Sequence, residues 1–301
     1  MVAGSSPAGP TCIKPILAII LAMTNSKRML RLPILIAFLL CTASAAAQSA
    51  SFSMRTESAH LDDQDVQVDV FRPGAGPSDG VAILAHGFAR DRSRHRALGE
   101  ELAAAGVIAV IPDLPHIVDY WRNGAALVEL ANMLESGGLG LPPIDRSRLV
   151  LIGTSAGGVA TLLAAAKLPG LAGWIGLDPV DRTGTAVSAA SQLTSPAVVL
   201  LAEPSGCNLF GSGRSIARAV PGLLRSTMLH GASHCDFEGP TNKFCKVMCG
   251  GSSSRMQVHA RQEVVHAAVE MLRGPADTAS TQAGFVLPSS RRPEEAAEDD
   301  R

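Results

Sequence analysis

The stretch that most constrains this chain is 149–158, Leu-Val-Leu-Ile-Gly-Thr-Ser-Ala-Gly-Gly, a bulky apolar run that stops abruptly at a serine bracketed by glycines. Leu149, Val150, Leu151 and Ile152 suit a strand covered on both faces. Residues 160–167 are strong helix formers, so the chain must turn sharply from strand to helix across Gly153, Thr154, Ser155, Ala156 and Gly157. A turn of that kind strains the backbone of its central residue and needs small neighbours so that strand and helix can approach. It lifts the Ser155 hydroxyl clear of the sheet, where it can act as a nucleophile.

The same alternation continues on both sides. Residues 81–85 are a continuous apolar run and predict a central strand ending at His86, Gly87 and Phe88. Residues 66–71 alternate as a half-exposed strand does and predict an edge strand, closed by the turn-forming stretch 72–77. Further strands are predicted over 107–111, 174–177, 197–201 and 227–229. A basic cluster at 90–96 leads into a helix running to Ala105 and terminated by Gly106; it reads as a solvated helix start, with contact to an anionic substrate as the alternative. Ala126, Leu127, Leu130, Met133 and Leu134 form one stripe of a helix over 123–134. Val258, Val265, Ala268, Val269 and Leu272 do the same over 256–272.

Strands alternating with helices imply an α/β fold with a mostly parallel central sheet and helices on both faces, and its active site lies beyond the carboxyl ends of the strands. His86, Ser155, Asp178, Glu203 and His234 all fall at such ends.

The 301 residues are 47% hydrophobic, enough for a large core, and the formal net charge of -1 gives no reason to expect a nucleic-acid partner. At 4% aromatic residues, a sugar-stacking groove is disfavoured. Lys27, Arg28 and Arg31 precede the apolar stretch 32–40, and Ala45, Ala46 and Ala47 offer a cleavage site. Residues 1–47 therefore read as a secretory signal peptide, with Met23 an alternative start, and the chain is expected to be secreted or periplasmic. The apolar stretch is shorter than the roughly 20 residues of a membrane span, so no stable membrane insertion is expected. A catalytic domain is expected over 48–287. The acidic stretch 288–301 reads as a disordered tail.

In an exported chain, Cys207, Cys235, Cys245 and Cys249 are expected to form two disulfides, with three pairings open. A zinc site on His230, His234, Cys245 and Cys249 is the rival reading. No cofactor or metal is expected.

A serine hydroxyl needs a base within hydrogen-bond reach, and the base needs a carboxylate to fix its tautomer. His234 is the candidate base, since Gly231, Ala232 and Ser233 before it permit close approach. Asp178, which ends a strand, Glu203, which ends the next, and Asp181 are the candidate acids. The amides of Ala156 and Phe88 are the candidate oxyanion hole.

These landmarks resemble the α/β-hydrolase superfamily over residues 66–272. The resemblance implies the α/β-hydrolase fold. Residues 176–181, Gly-Leu-Asp-Pro-Val-Asp, look like the corresponding segment of chlorophyllase-type enzymes, and the spacing from Ser155 to Asp178 is similar to that of platelet-activating-factor acetylhydrolases. In both groups the acid follows the strand after the nucleophile, which implies Asp178 rather than Glu203 or Asp181. Thr154 and Ala156 depart from the chlorophyllase pattern, which has histidine before the serine. Dienelactone hydrolases are similar in architecture but use cysteine where Ser155 stands. The stretch between Pro179 and Ser195 is too short for a sizeable lid.

The resulting expectation is a secreted serine hydrolase acting on small-molecule or polymeric carboxylic esters. An amidase or peptidase on the same residues, or a binding protein on a hydrolase scaffold without turnover, are the alternatives.

Overall fold

The computed structural model describes residues 52–274 apart from Ala75, Asn242 and the side chain of Phe244. The stretches read as a leader (1–47) and an acidic tail (288–301) lie outside the described residues.

The apolar runs become the centre of a single sheet. Every residue of β3 (Gly80–Ala85), β4 (Val107–Pro112) and β5 (Leu149–Thr154) is buried, as strands covered on both faces must be. They are joined by β1 (Phe52–Leu61), β2 (Gln64–Pro73), β6 (Gly173–Leu177), β7 (Ala197–Leu201) and β8 (Leu223–Met228). The order across the sheet is β1-β2-β4-β3-β5-β6-β7-β8. β2 pairs antiparallel with β1 and with β4, and the remaining neighbours are parallel.

Residues 66–71 do not form an edge as their alternation predicts. They sit inside β2 with a partner on each side, and the edge is β1, which carries Arg55, Glu57 and His60 among mostly exposed positions. Charge along an unpaired edge discourages pairing with another chain. The same composition hides the strand in the sequence.

The helices divide between the two faces. Val81, Ile83 and Ala85 of β3 pack with α2 (Tyr120–Glu135), α3 (Ala156–Ala165), α4 (Thr185–Ser191) and α5 (Gly213–Ala219). Ala82 and Leu84 pack on the other face with α1 (Arg96–Ala104) and α7 (Ser254–Arg273). A short α6 (Lys243–Met248) precedes α7. Of the stripe predicted for α7, Ala268 is buried and Val265, Val269 and Leu272 pack against the core, but Val258 is 40% exposed, and the first turns bury Ala260 and Val264 instead. Val258 and Ala260 are about 200° apart around the helix axis, so they cannot share a face. The stretch after Pro179 holds α4, whose Ala186, Ala189 and Ala190 are buried. Among the described residues no helix is long and apolar enough to cross a membrane.

β3 has β4 on one side and β5 on the other, and the chain winds outward in both directions from this pair. Such a switch point opens a crevice beyond the strand ends. β3 leads there into His86 and Gly87, and β5 into Ser155.

Candidate active site

The turn at the end of β5 has the strain that its sequence requires. Ser155 lies at φ 56 and ψ -119, a region L-residues avoid. A Cβ on Gly153 would meet the Gly157 carbonyl oxygen at 2.3 Å, and one on Gly157 would meet the His86 carbonyl oxygen at 2.3 Å. Glycine is therefore obligatory on both sides of the serine. Hydrogen bonds hold the strained residue: Ser155 N–H donates to the Leu177 carbonyl at 3.0 Å, and Val180 N–H donates to the Ser155 carbonyl at 3.2 Å.

Three of the predicted residues meet beyond the strand ends. His234 Nε2 lies 3.0 Å from Ser155 Oγ, and His234 Nδ1 lies 2.7 Å from Asp178 Oδ2. A carboxylate only accepts, so Nδ1 carries the proton and the Nε2 lone pair receives the serine O–H. That tautomer allows Nε2 to take the serine proton as the hydroxyl attacks an electrophile.

Asp178 is fully buried, and a buried charge must be well paired. The Ala202 amide donates to its Oδ1 at 3.2 Å, and Asn208 Nδ2 donates to its Oδ2 at 3.0 Å, beside His234. The Asn208 side chain makes four bonds. Its Nδ2 also donates to the Glu203 carbonyl at 2.9 Å, and its Oδ1 accepts from Ser205 N at 2.8 Å and Gly211 N at 3.0 Å. Nothing in the sequence marks Asn208, which sits in a loop without periodicity.

The other two candidate acids lie elsewhere. Glu203 Oε1 faces the exposed His230, with Nδ1 at 3.3 Å. Asp181 accepts from the amides of Thr183, Gly184 and Ala186 and so organises the start of α4.

Ala156 opens α3, where amides have no partner within the helix. Across the crevice the loop after β3 carries Phe88, a residue that is 54% exposed. The two peptides that meet at Gly87 before it are each held. Leu114 N–H donates to His86 Nε2 at 3.0 Å, which fixes the proton of His86 on Nδ1, and Nδ1 donates to the Gly87 carbonyl at 3.0 Å. Gly87 N–H donates to Glu238 Oε1 at 2.5 Å. A small cleft of about 30 Å³ runs between these loops, lined by Phe88, Leu114, Ile117, Tyr120 and Ala156 among others.

The basic cluster at 90–96 faces partners of its own. Arg92 pairs with Asp69 at 3.1 Å and with Asp113, Arg96 with Glu100 at 3.6 Å, and Arg90 approaches Glu238 at 3.6 Å. His95 is buried in this region, and the loss of hydration pushes its imidazole below its ordinary value of 6.5. It is therefore neutral beside Glu238, 3.8 Å away, and this contact is no ion pair.

The cysteines pair as Cys207–Cys249 and Cys235–Cys245. The sulfurs that the zinc alternative requires are thus disulfide-bonded, and His234 is engaged by Ser155 and Asp178.

No protein-family model matches the chain. No curated protein matches it either. Among solved structures, the chain is similar to a dienelactone hydrolase from Anabaena variabilis, with a TM-score of 0.56 and 19% sequence identity, covering 74% of this chain and 97% of that chain.

Proposed function

We propose that this chain, which has the α/β-hydrolase fold, is an exported serine hydrolase that cleaves carboxylic esters. The observation that carries the reading is the continuous hydrogen-bonded path from Ser155 Oγ through His234 to Asp178, at 3.0 and 2.7 Å. In this reading Ser155 Oγ attacks the ester carbonyl carbon while His234 Nε2 takes its proton, and Asp178 stabilises the imidazolium that forms. The amides of Phe88 and Ala156 receive the negative charge that develops on the carbonyl oxygen. His234 then returns the proton to the departing alkoxide, and a water molecule, activated by the same imidazole, releases the acid from Ser155.

Two disulfides fit an oxidising compartment, which agrees with the leader read at 1–47.

The test is hydrolysis of p-nitrophenyl esters from acetate to palmitate by the mature chain beside its Ser155→Ala variant. Activity that disappears with the Ser155 hydroxyl is the expected result. Equal activity in both proteins would overturn the serine mechanism, and inactivity of both on esters with cleavage of the corresponding anilides would replace the esterase by an amidase.

A further inference from the structure

Glu238 lies 151 residues from Gly87 in sequence, yet its carboxylate accepts the Gly87 N–H. It is 9% exposed, and nothing in the path from Ser155 to Asp178 uses it. A Cβ on Gly87 would lie 3.3 Å from Glu238 Oε1 and 3.3 Å from Ser155 Cβ, so the acid and the serine flank the same glycine. At the far end of the loop Arg90 reaches back to the second carboxylate oxygen, with Nε 3.6 Å from Oε2. The segment carrying Glu238 is itself anchored, because Gly239 N–H donates to the Arg94 carbonyl at 3.0 Å and an Arg94 guanidinium nitrogen donates to the Pro240 carbonyl.

We propose that Glu238 is a positioning residue for the oxyanion hole: by accepting the Gly87 N–H it fixes the His86–Gly87 peptide, from which the next peptide presents the Phe88 N–H to the reacting carbonyl. The proposal rests on the serine-hydrolase reading above. An ionised acceptor forms a stronger bond to an amide than a neutral one, which suits a loop that must not swing. A negative charge this near a developing oxyanion would oppose catalysis if it stood alone. Arg90 offsets it, and the neutral His95 adds no charge of its own. His86 holds the Gly87 carbonyl, which belongs to the next peptide, Gly87–Phe88, so the two peptides that meet at Gly87 are each anchored by a side chain.

The test compares Glu238→Ala, Glu238→Gln and Glu238→Asp, with rates expressed per active site titrated by a fluorophosphonate so that misfolded protein does not count. Alanine is expected to lower kcat by about 30-fold, below the roughly 100-fold or greater loss seen when an oxyanion donor is removed outright. KM stays within about threefold, and the affinity for an alkylboronic acid, which mimics the tetrahedral intermediate, falls in proportion to kcat/KM. Glutamine keeps an oxygen at the Gly87 N–H and retains at least about a fifth of the wild-type kcat, whereas aspartate keeps the charge but falls short of the amide and behaves like alanine.

The proposal is overturned if alanine leaves kcat per site and boronate affinity within about twofold of wild type, or if aspartate is active and glutamine is not. Should the alanine variant fail to fold, the order of glutamine and aspartate decides. Ser155→Ala separates the two levels: if that variant keeps its activity the serine mechanism has failed, and if it is dead while Glu238→Ala is fully active only the positioning role has.

Discussion

Asn208 donates to the same oxygen of Asp178 that His234 contacts, Oδ2, at 3.0 Å. The carboxylate is thereby held in one orientation by a side chain whose own bonds are all within its loop or to Asp178. Replacing Asn208 by alanine removes a hydrogen bond to a charged group, worth about 1.5–3 kcal/mol. The expected result is a fall of about tenfold or more in kcat/KM on a p-nitrophenyl ester, with the Ser155 hydroxyl still labelled by a fluorophosphonate.

The identity of the acid is testable by a pair of substitutions. Asp178→Asn presents the imidazole with a group that can bind the wrong tautomer, and a loss of about 10⁴ in kcat is expected. Glu203→Gln touches only the exposed His230 and the Gly231 amide, so its kcat should stay within about twofold of wild type. Steady-state kinetics on purified variants check both; the opposite pattern would transfer the role to Glu203.

His95 makes stability depend on pH. Its buried imidazole is held below 6.5, while in the unfolded chain it titrates near its ordinary value. Below pH 6.5 the unfolded state therefore binds a proton that the folded state refuses, and stability falls as pH falls, by up to about 1.4 kcal/mol per pH unit. His95→Gln removes this contribution. Urea unfolding at pH 7 and pH 5.5 should show a smaller loss for the variant than for wild type.

The disulfides stabilise the loops that bear the site. Cys207–Cys249 closes a separation of 42 residues and Cys235–Cys245 one of 10, for which loop-closure entropy gives about 4 and about 3 kcal/mol. Cys235 adjoins His234 and Cys207 adjoins Asn208. Reduction with a thiol is expected to lower the melting temperature and abolish ester hydrolysis, and non-reducing peptide mapping should recover the two pairs as stated.

The features written in contiguous residues were legible in the sequence. The run 149–158 specifies a buried strand, a strained serine and a helix, and 197–201 coincide with β7, because each is continuous apolar sequence bounded by turns. The features that depend on distant partners and carry no local motif were not. Glu238 and Asn208 are polar loop residues with no periodicity, and each acquires its place only when chain segments 30 or more residues apart converge. β1 was hidden for a different reason: with Phe52 and Met54 next to Arg55, Thr56 and Glu57, it lacks the alternation of a strand that has one face in the core.

The two disulfides also determine what a protease could do to this protein. Lys243 and Lys246 are exposed on α6, the most accessible basic positions of that segment. A tryptic cut after Lys243 falls inside the loop closed by Cys235–Cys245, and a cut after Lys246 falls inside the loop closed by Cys207–Cys249. Either nick leaves α7 covalently attached to the half of the chain that holds Ser155 and Asp178. Backbone cleavage at this point thus becomes a scar rather than a separation.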